Sequence, residues 1–236
     1  MKVLVLGHKG MLGHMVTKYL LDNDVEVITT AIRWPESPFK LGVRLDYVIN
    51  CIGAIPQRTD NFDINWHLPI WLDVNSPCRV IHPGTDCEMD DDEYGKSKKI
   101  SADYIKSLGS RTKILKTSII GPELNGNASL LEWFLSENSE VFGYTKAMWN
   151  GNTTLEWSKQ CLSLMLNWND YEIETTLEGE CVSKYKLLNT IKTVFDVPTK
   201  INSKDSGKDK CLVGGIKTAG IEEQLNDLKK YYYDNN

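Results

Sequence analysis

No two of the six cysteines (Cys51, Cys78, Cys87, Cys161, Cys181 and Cys211) stand in a CxxC pair, so the spacing of a zinc ribbon or a dithiol redox motif is missing. They read as small apolar fillers of a reduced compartment, with neither disulfides nor zinc expected. No apolar run approaches the roughly 20 residues of a membrane span. Residues 1–6 reach glycine too soon to serve as a secretory leader. Positive charge is scarce as well: 27 Lys and Arg face 32 Asp and Glu, a net charge of −5, which argues against nucleic acid or an anionic membrane as a main partner. Repeats and low-complexity linkers are absent. The four histidines (His8, His14, His67 and His82) carry no metal-ligand spacing, so no metal is expected. What remains is 236 residues, 41% hydrophobic and 25% charged, enough for one main domain and a small cap. A cytoplasmic location is the expectation.

The apolar run Val3-Leu4-Val5-Leu6 breaks on Gly7-His8-Lys9-Gly10-Met11-Leu12-Gly13. A short strand that breaks on glycine and re-emerges as a helix has the shape of a dinucleotide-binding turn. The first glycine permits the turn, the second lets backbone N–H groups reach a pyrophosphate, and the third lets helix pack on strand. The helix from Met11 to Leu21 then points its positive end at the phosphates. Cofactor choice follows from charge. NAD-preferring folds carry an acid at the end of the second strand to hold the ribose 2′-hydroxyl. Here Glu26–Thr30 runs into Ala31, Ile32 and Arg33 with no acid. Arg33 and Lys9 suit a 2′-phosphate instead, which favours NADP(H) over NAD(H).

Strands are expected at Lys2–Leu6, Glu26–Thr30, Tyr47–Cys51, Arg79–His82 and Lys113–Ile120. Helical patterns at Met11–Leu21, about Phe62–Asp73 and Tyr94–Leu108 lie between them. Alternating β and α units predict a Rossmann-type doubly wound parallel sheet. Between Thr30 and Tyr47 the chain is too short and too proline-rich for a full crossover, so one βα unit is expected to be trimmed. After Gly121 the texture changes, with helices expected at Ser129–Asn138, Thr154–Asn167, Lys184–Phe195 and Ile221–Tyr233. The expected division is residues 1–121 as the NADP-binding domain with the catalytic residues, and 122–236 as a small substrate-binding cap.

The densest chemistry is Thr85 followed by Tyr94-Gly95-Lys96-Ser97-Lys98. Tyr94 and Lys98 are i and i+4 on a helix and share one face. A free phenol, with a pKa near about 10, is a poor acid or base at neutral pH, and a neighbouring ammonium is expected to lower it toward useful proton transfer. Thr85, past the end of its strand, suits a hydrogen bond to a substrate carbonyl. The acids Glu88 and Asp90 to Glu93 read mainly as caps for the Tyr94 helix, with a cation or sugar hydroxyls as the alternative. Most of the tryptophans sit at helical spacing and read as core, whereas Trp149, beside Asn150-Gly151-Asn152, is free to face a sugar or base.

These residues, with Val48-Ile49-Asn50-Cys51-Ile52-Gly53-Ala54, Ile81-His82-Pro83-Gly84-Thr85-Asp86-Cys87, Leu115-Lys116-Thr117-Ser118-Ile119-Ile120-Gly121 and Trp149-Asn150-Gly151-Asn152-Thr153-Thr154, resemble in order the extended short-chain dehydrogenases/reductases. Within them the resemblance is to dTDP-4-dehydrorhamnose reductases and related sugar-nucleotide reductases, over residues 1–195. It implies a catalytic triad of Thr85, Tyr94 and Lys98. It implies cofactor contacts from Gly7 to Gly13, from Cys51, Ile52 and Gly53, from Tyr94 and Lys98, and from Thr117 and Ser118. Thr85, Asp86, Trp149, Asn150 and Thr153 would hold a nucleotide-sugar substrate. The implied reaction is NADPH-dependent reduction of a nucleotide-activated 4-keto-6-deoxyhexose for a surface glycan. A sugar-nucleotide epimerase or dehydratase with bound NAD, and a non-catalytic dinucleotide-binding subunit, are the alternatives. A homodimer is implied, through the helices near Phe62–Asp73 and Tyr94–Leu108, with Phe62, Trp66, Ile70 and Trp71 supplying apolar surface. The segment between Thr85 and Tyr94 is shorter than in such enzymes, so the sugar pocket is either more open or closed by other residues.

Overall fold

The computed structural model describes residues 1–41, 43–108 and 111–234. In chain order its first elements are β1 (Lys2–Leu6), α1 (Met11–Asp22), β2 (Glu26–Thr29), β3 (Tyr47–Asn50), α2 (Ile64–Asn75), β4 (Arg79–Gly84), α3 (Glu93–Leu108) and β5 (Thr112–Lys116). There follow β6 (Ile119–Ile120), α4 (Leu130–Ser136), β7 (Val141–Tyr144), β8 (Met148–Trp149), β9 (Asn152–Thr153) and α5 (Thr154–Leu166). The last are β10 (Glu174–Glu178), β11 (Val182–Ser183), α6 (Lys184–Phe195), β12 (Ile201–Lys204), β13 (Ile216–Lys217) and α7 (Ile221–Leu228). They form two compact units, Met1–Lys116 with Ser158–Thr175, and Thr117–Trp157 with Thr176–Asn236.

In the first unit the strands follow the order β10-β5-β4-β3-β1-β2, and the registers of β2, β1, β3, β4 and β5 are all parallel. β10 runs on into the second unit, where Leu177 and Glu178 pair in parallel with β13, the seventh strand of the sheet. The expected doubly wound α/β architecture is what forms. Val3, Leu4, Val5, Val48, Ile49, Val80 and Ile81 have no exposure at all. Each contributes about 1.5–3 kcal/mol through burial, and apolar side chains on both faces of a strand require helices on both faces of the sheet.

The trimmed unit is visible as well. β2 is the outer strand, and between it and β3 the chain makes only a 3₁₀ turn at Pro38–Leu41. Aromatic rings cover the flank that a crossover helix would cover. Trp34 meets Trp71 edge-on at 5.2 Å, Phe39 stacks on Trp71 at 5.5 Å, and all three pack against Leu4, Leu6, Leu68 and Leu72.

Two expected elements change. β4 continues past His82 to Gly84, and Lys113–Ile120 divides into β5 and β6. The break falls at Thr117, whose hydroxyl donates to the Ser118 carbonyl at 3.1 Å and accepts from the Asn152 amide at 2.8 Å.

The second unit packs α4, α6 and α7 around Leu131, Phe134, Leu187, Ile191, Leu225 and Leu228, all buried. It also corrects the reading of the cysteines: Cys181 and Cys211 form a disulfide, with Cα atoms 5.9 Å apart. They are separated by 30 residues in sequence, and backbone contacts bring them together. Leu212 donates to and accepts from the Asn150 side chain at 2.9 and 2.7 Å, and Gly214 N–H donates to Glu178 at 3.0 Å. No local spacing announces such a return. Cys51, Cys78 and Cys161 remain thiols, with burial pushing each of them above the ordinary range. Among the described residues, no helix is long and apolar enough to cross a membrane.

Candidate active site

At the end of β1 the chain turns through Gly7, which has φ +75°, the left-handed region that glycine enters without cost. A Cβ there would also strike the Cys51 carbonyl at 2.8 Å. Gly10 caps α1 and its N–H donates to the Gly7 carbonyl at 2.9 Å. Gly13 allows the closest approach: a Cβ on it would lie 2.1 Å from the Gly7 carbonyl oxygen. The first turn of α1 holds no acid, so nothing opposes an anion at its positive end. His8 and Met11 are half-buried, Leu12 is buried, and Lys9 and Arg33 are exposed.

The next strand end supplies the second wall. Asn50, fully buried, accepts from Ile52 N–H at 3.1 Å and meets His82 Nδ1 at 3.2 Å. The amide donates, so His82 carries its proton on Nε2 and is neutral. Burial, and then the charge of Lys98, hold its pKa well below the ordinary value. Asn65 on α2 clasps Ala54 from both sides, accepting from its N–H at 2.8 Å and donating to its carbonyl at 3.0 Å, and also donates to Ser97 on α3 at 3.1 Å. The Cys51–Gly53 segment is therefore fixed to the helix that carries Tyr94 and Lys98. Sequence reading passed over Asn50, Asn65 and His82. The available signal was an uncharged polar residue, Asn50, directly after the apolar pair Val48-Ile49.

Tyr94 and Lys98 sit on α3, and Thr85 on the residue after β4. The Thr85 side chain stands close enough to the Tyr94 phenol to favour its ionised form. Thr85 Oγ1 lies 3.1 Å from Asp86 Oδ1, to which it donates, and accepts from Cys87 N–H at 3.2 Å. Phe62 packs edge-on against the Tyr94 ring at 5.7 Å. Lys98 is 8% exposed and its Nζ lies beside Gly53, where a Cβ would touch it at 3.7 Å and crowd Asn65 Oδ1 at 3.3 Å. Thr85, Asp86, Tyr94, Lys98 and the Cys51–Gly53 segment thus share one unit.

The electrostatics depart from expectation. Tyr94 is pushed above its ordinary value, first by burial, then by Cys87 and Asp86, with the Thr85 side chain pulling the other way and Glu88 adding to the rise. Lys98, expected to lower it, is itself pushed down by burial, with Glu88 and Cys87 opposing. The reason is solvation. A buried phenol beside acids is costly to ionise, and the ammonium one turn away is itself buried. The site holds a protonated phenol.

The acidic run does cap α3, through Asp92, which accepts from Gly95 N–H at 2.7 Å. Asp91 pairs with Lys96 at 3.1 Å on the surface, whereas Glu88 turns inward. Of the helix surface expected to stay open for a partner, Phe62 is taken by Tyr94 and Trp71 by Trp34 and Phe39. Trp66 and Ile70 are half-buried.

In the second unit Thr117 is buried and Ser118 half-buried. Trp149, Asn150 and Thr153 are 2%, 4% and 1% exposed. Asn150 holds Leu212, and the Thr153 hydroxyl accepts from Glu156 N–H at 3.2 Å. Asn152 centres a network not anticipated from sequence, accepting from Thr218 at 2.6 Å and from Gln224 at 2.8 Å.

No protein-family model matches the chain, and no characterised protein matches it in sequence. Solved structures do match in shape. A dTDP-4-dehydrorhamnose reductase from Bacillus anthracis, solved with NADP, superposes with a TM-score of 0.78 at 12% identity, over 98% of this chain and 99% of that one. The orthologous reductase of Clostridium acetobutylicum gives 0.74 at 17% identity, over 98% and 99%. A UDP-glucose 4-epimerase from Thermotoga maritima, solved with UDP-glucose, gives 0.71 at 15% identity, over 100% and 99%. The fold is the one that these solved structures share. At these identities the likeness carries the fold alone, and the chemistry rests on the residues of this chain. The glycine turn, with Gly7 left-handed and Gly13 packed without a Cβ on the Gly7 carbonyl, fits a dinucleotide pyrophosphate.

Proposed function

We propose that this chain is an NADPH-dependent reductase of a nucleotide-activated 4-keto-6-deoxyhexose, serving deoxysugar synthesis for a surface glycan in the cytoplasm. The observation that carries the reading is that the Thr85 side chain stands close to Tyr94, on a helix that places Lys98 one turn on, beside Gly53. Within the first unit, Gly7 to Gly13, Cys51 to Gly53, Arg33, Tyr94 and Lys98 would hold the cofactor. Reduced nicotinamide supplies a hydride when bound. With substrate bound, Thr85 turns its hydroxyl proton from Asp86 to the keto oxygen, and Tyr94 gives that oxygen its proton as the carbon is reduced. Lys98 holds the ribose and faces the phenolate left behind until solvent restores its proton. Until substrate binds, Asp86 holds the Thr85 hydroxyl. Trp149, Asn150 and Thr153 act on the sugar nucleotide through the segment that they hold rigid. The test is loss of reduced nicotinamide absorbance with a panel of nucleotide 4-keto-6-deoxyhexoses. A protein that binds NADPH and reduces none of them is instead a non-catalytic dinucleotide-binding subunit.

Arg33→Ala is expected to weaken NADPH about tenfold more than NADH, because only the former presents a 2′-phosphate to a charge-assisted hydrogen bond. Equal losses in fluorescence titrations of the two cofactors would contradict the NADP preference.

The raised Tyr94 pKa fixes the sign of a pH effect. The donor must be protonated, and raising its pKa moves the alkaline fall in rate upward. The kcat for reduction should stay flat through about pH 10, the ordinary phenol value. An alkaline limb near neutral pH in the parent kcat profile would contradict a protonated Tyr94.

Self-association belongs to the same reading. Trp66 and Ile70 on α2, with Ile100 of α3 at 48% and Leu108 at 63% exposure, offer apolar surface to a second copy. Sedimentation at micromolar concentration should give a dimer, and a monomer there would remove that element of the proposal.

A further inference from the structure

Thr85 is held from behind by a pair of charges that nothing in the YxxxK pattern requires. Its backbone N–H donates to Glu88 Oε1 at 3.0 Å, so Thr85 and Glu88 close a capping box around the 3₁₀ turn Asp86–Met89. The other Glu88 oxygen accepts from Lys116 Nζ at 2.6 Å. The Glu88 and Lys116 side chains are only 5% and 13% exposed. Charged groups of that burial class are usually neutralised or paired, and Glu88 is paired on both oxygens. Lys116 reaches it because it ends β5 in register with Gly84. A Cβ on Gly84 would lie 3.0 Å from Lys116 Cβ, so glycine at this position lets the lysine stem cross β4. Glu174 stands 3.7 Å from Lys116 Nζ on the other side and aims the ammonium from there.

We propose that Glu88, anchored by Lys116, is a positioning residue that sets the Thr85 hydroxyl against Tyr94. The assignment rests on the reductase reading above. Glu88 touches neither substrate nor cofactor and acts through the Thr85 backbone. If its carboxylate is lost, the turn at Asp86–Met89 relaxes, and Thr85 Oγ1 leaves the line between Tyr94 and the keto oxygen. An error of about 1 Å at such a group is worth on the order of 10²-fold in rate. The carboxylate also reaches the proton-transfer pair, raising the Tyr94 pKa and supporting the charge of Lys98. The acidic residue three positions after Thr85 is therefore part of the active-site frame.

The test compares Glu88→Ala, Glu88→Gln and Lys116→Met with the parent as full chains. It measures kcat and KM for keto reduction, thermal unfolding, and exchange of the Thr85 amide by NMR. Glu88→Ala and Lys116→Met should lower kcat by about 10- to 100-fold with KM within about threefold. Their Thr85 amides should exchange at least about tenfold faster. Glu88→Gln, which keeps an acceptor for the Thr85 N–H but turns an amide donor toward Lys116, should fall between Glu88→Ala and the parent in kcat and in protection. Parent-like kcat in Glu88→Ala would overturn the proposal, as would a loss explained by the unfolded fraction alone, or a glutamine variant no better than alanine. If the parent reduces no keto sugar, the reductase reading has failed and the amide decides separately. Faster Thr85 exchange in Glu88→Ala sustains the positioning role, and unchanged exchange removes it.

Discussion

Tyr94→Phe is expected to fold and to bind NADPH like the parent while reducing a nucleotide 4-keto-6-deoxyhexose about 10²–10⁴-fold more slowly, the usual worth of a general acid. The ring volume is kept, so the edge-on contact with Phe62 survives and only the hydroxyl beside Thr85 is lost. Lys98→Met should slow the reaction in the same direction and also weaken NADPH, because the ammonium beside Gly53 is placed for the cofactor ribose. The double variant should lose far less than the product of the single losses, since Lys98 acts partly through Tyr94. Steady-state kinetics on the four proteins, with cofactor titration, reads all three effects. Additive losses would mean that Tyr94 and Lys98 do not work as a pair.

The second large effect is at the glycine turn, where two alanine substitutions should both weaken NADPH but only one should cost stability. In Gly13→Ala the new Cβ would sit 2.1 Å from a backbone carbonyl oxygen, which no side-chain rotation relieves. α1 must move off β1, at a cost of about 1–3 kcal/mol or more, and NADPH affinity should fall by at least about 10²-fold as the turn distorts. In Gly10→Ala the Cβ meets only the Gly7 carbonyl, at 3.4 Å, so stability should stay within about 0.5 kcal/mol of the parent. NADPH binding should still weaken, because the methyl takes the space into which a pyrophosphate would come. Chemical denaturation and cofactor titration separate the two. A Gly10→Ala protein with parent affinity would contradict a phosphate seat at this turn.

The parts of the molecule legible in sequence are those with local causes. A strand breaking on Gly7 and reopening as α1 is turn chemistry within seven residues, and the Tyr94–Lys98 relation is one helical turn. The shortened connection after Thr29 was readable because Pro35 and Pro38 leave no room for a crossover helix. Relations across the parallel sheet were not readable. Asn50 meets His82 and Asn65 meets Ser97 32 residues away, and Glu88 meets Lys116 28 residues away, each through strand order rather than periodicity. The Cys181–Cys211 bond has the same origin, a long return fixed by Leu212 on Asn150. The Tyr94 pKa was misread for a related reason. The i, i+4 spacing announces Lys98, whereas desolvation and the inward turn of Asp86 and Glu88, which outweigh it, appear only once the chain has folded.

Turnover by the unmodified protein tests the central claim most directly. With NADPH and a nucleotide-activated 4-keto-6-deoxyhexose, the account predicts oxidation of one equivalent of NADPH per sugar, yielding a product with a hydroxyl at C4. Failure to oxidise NADPH with every member of the panel, by a folded protein that binds the cofactor, would contradict it.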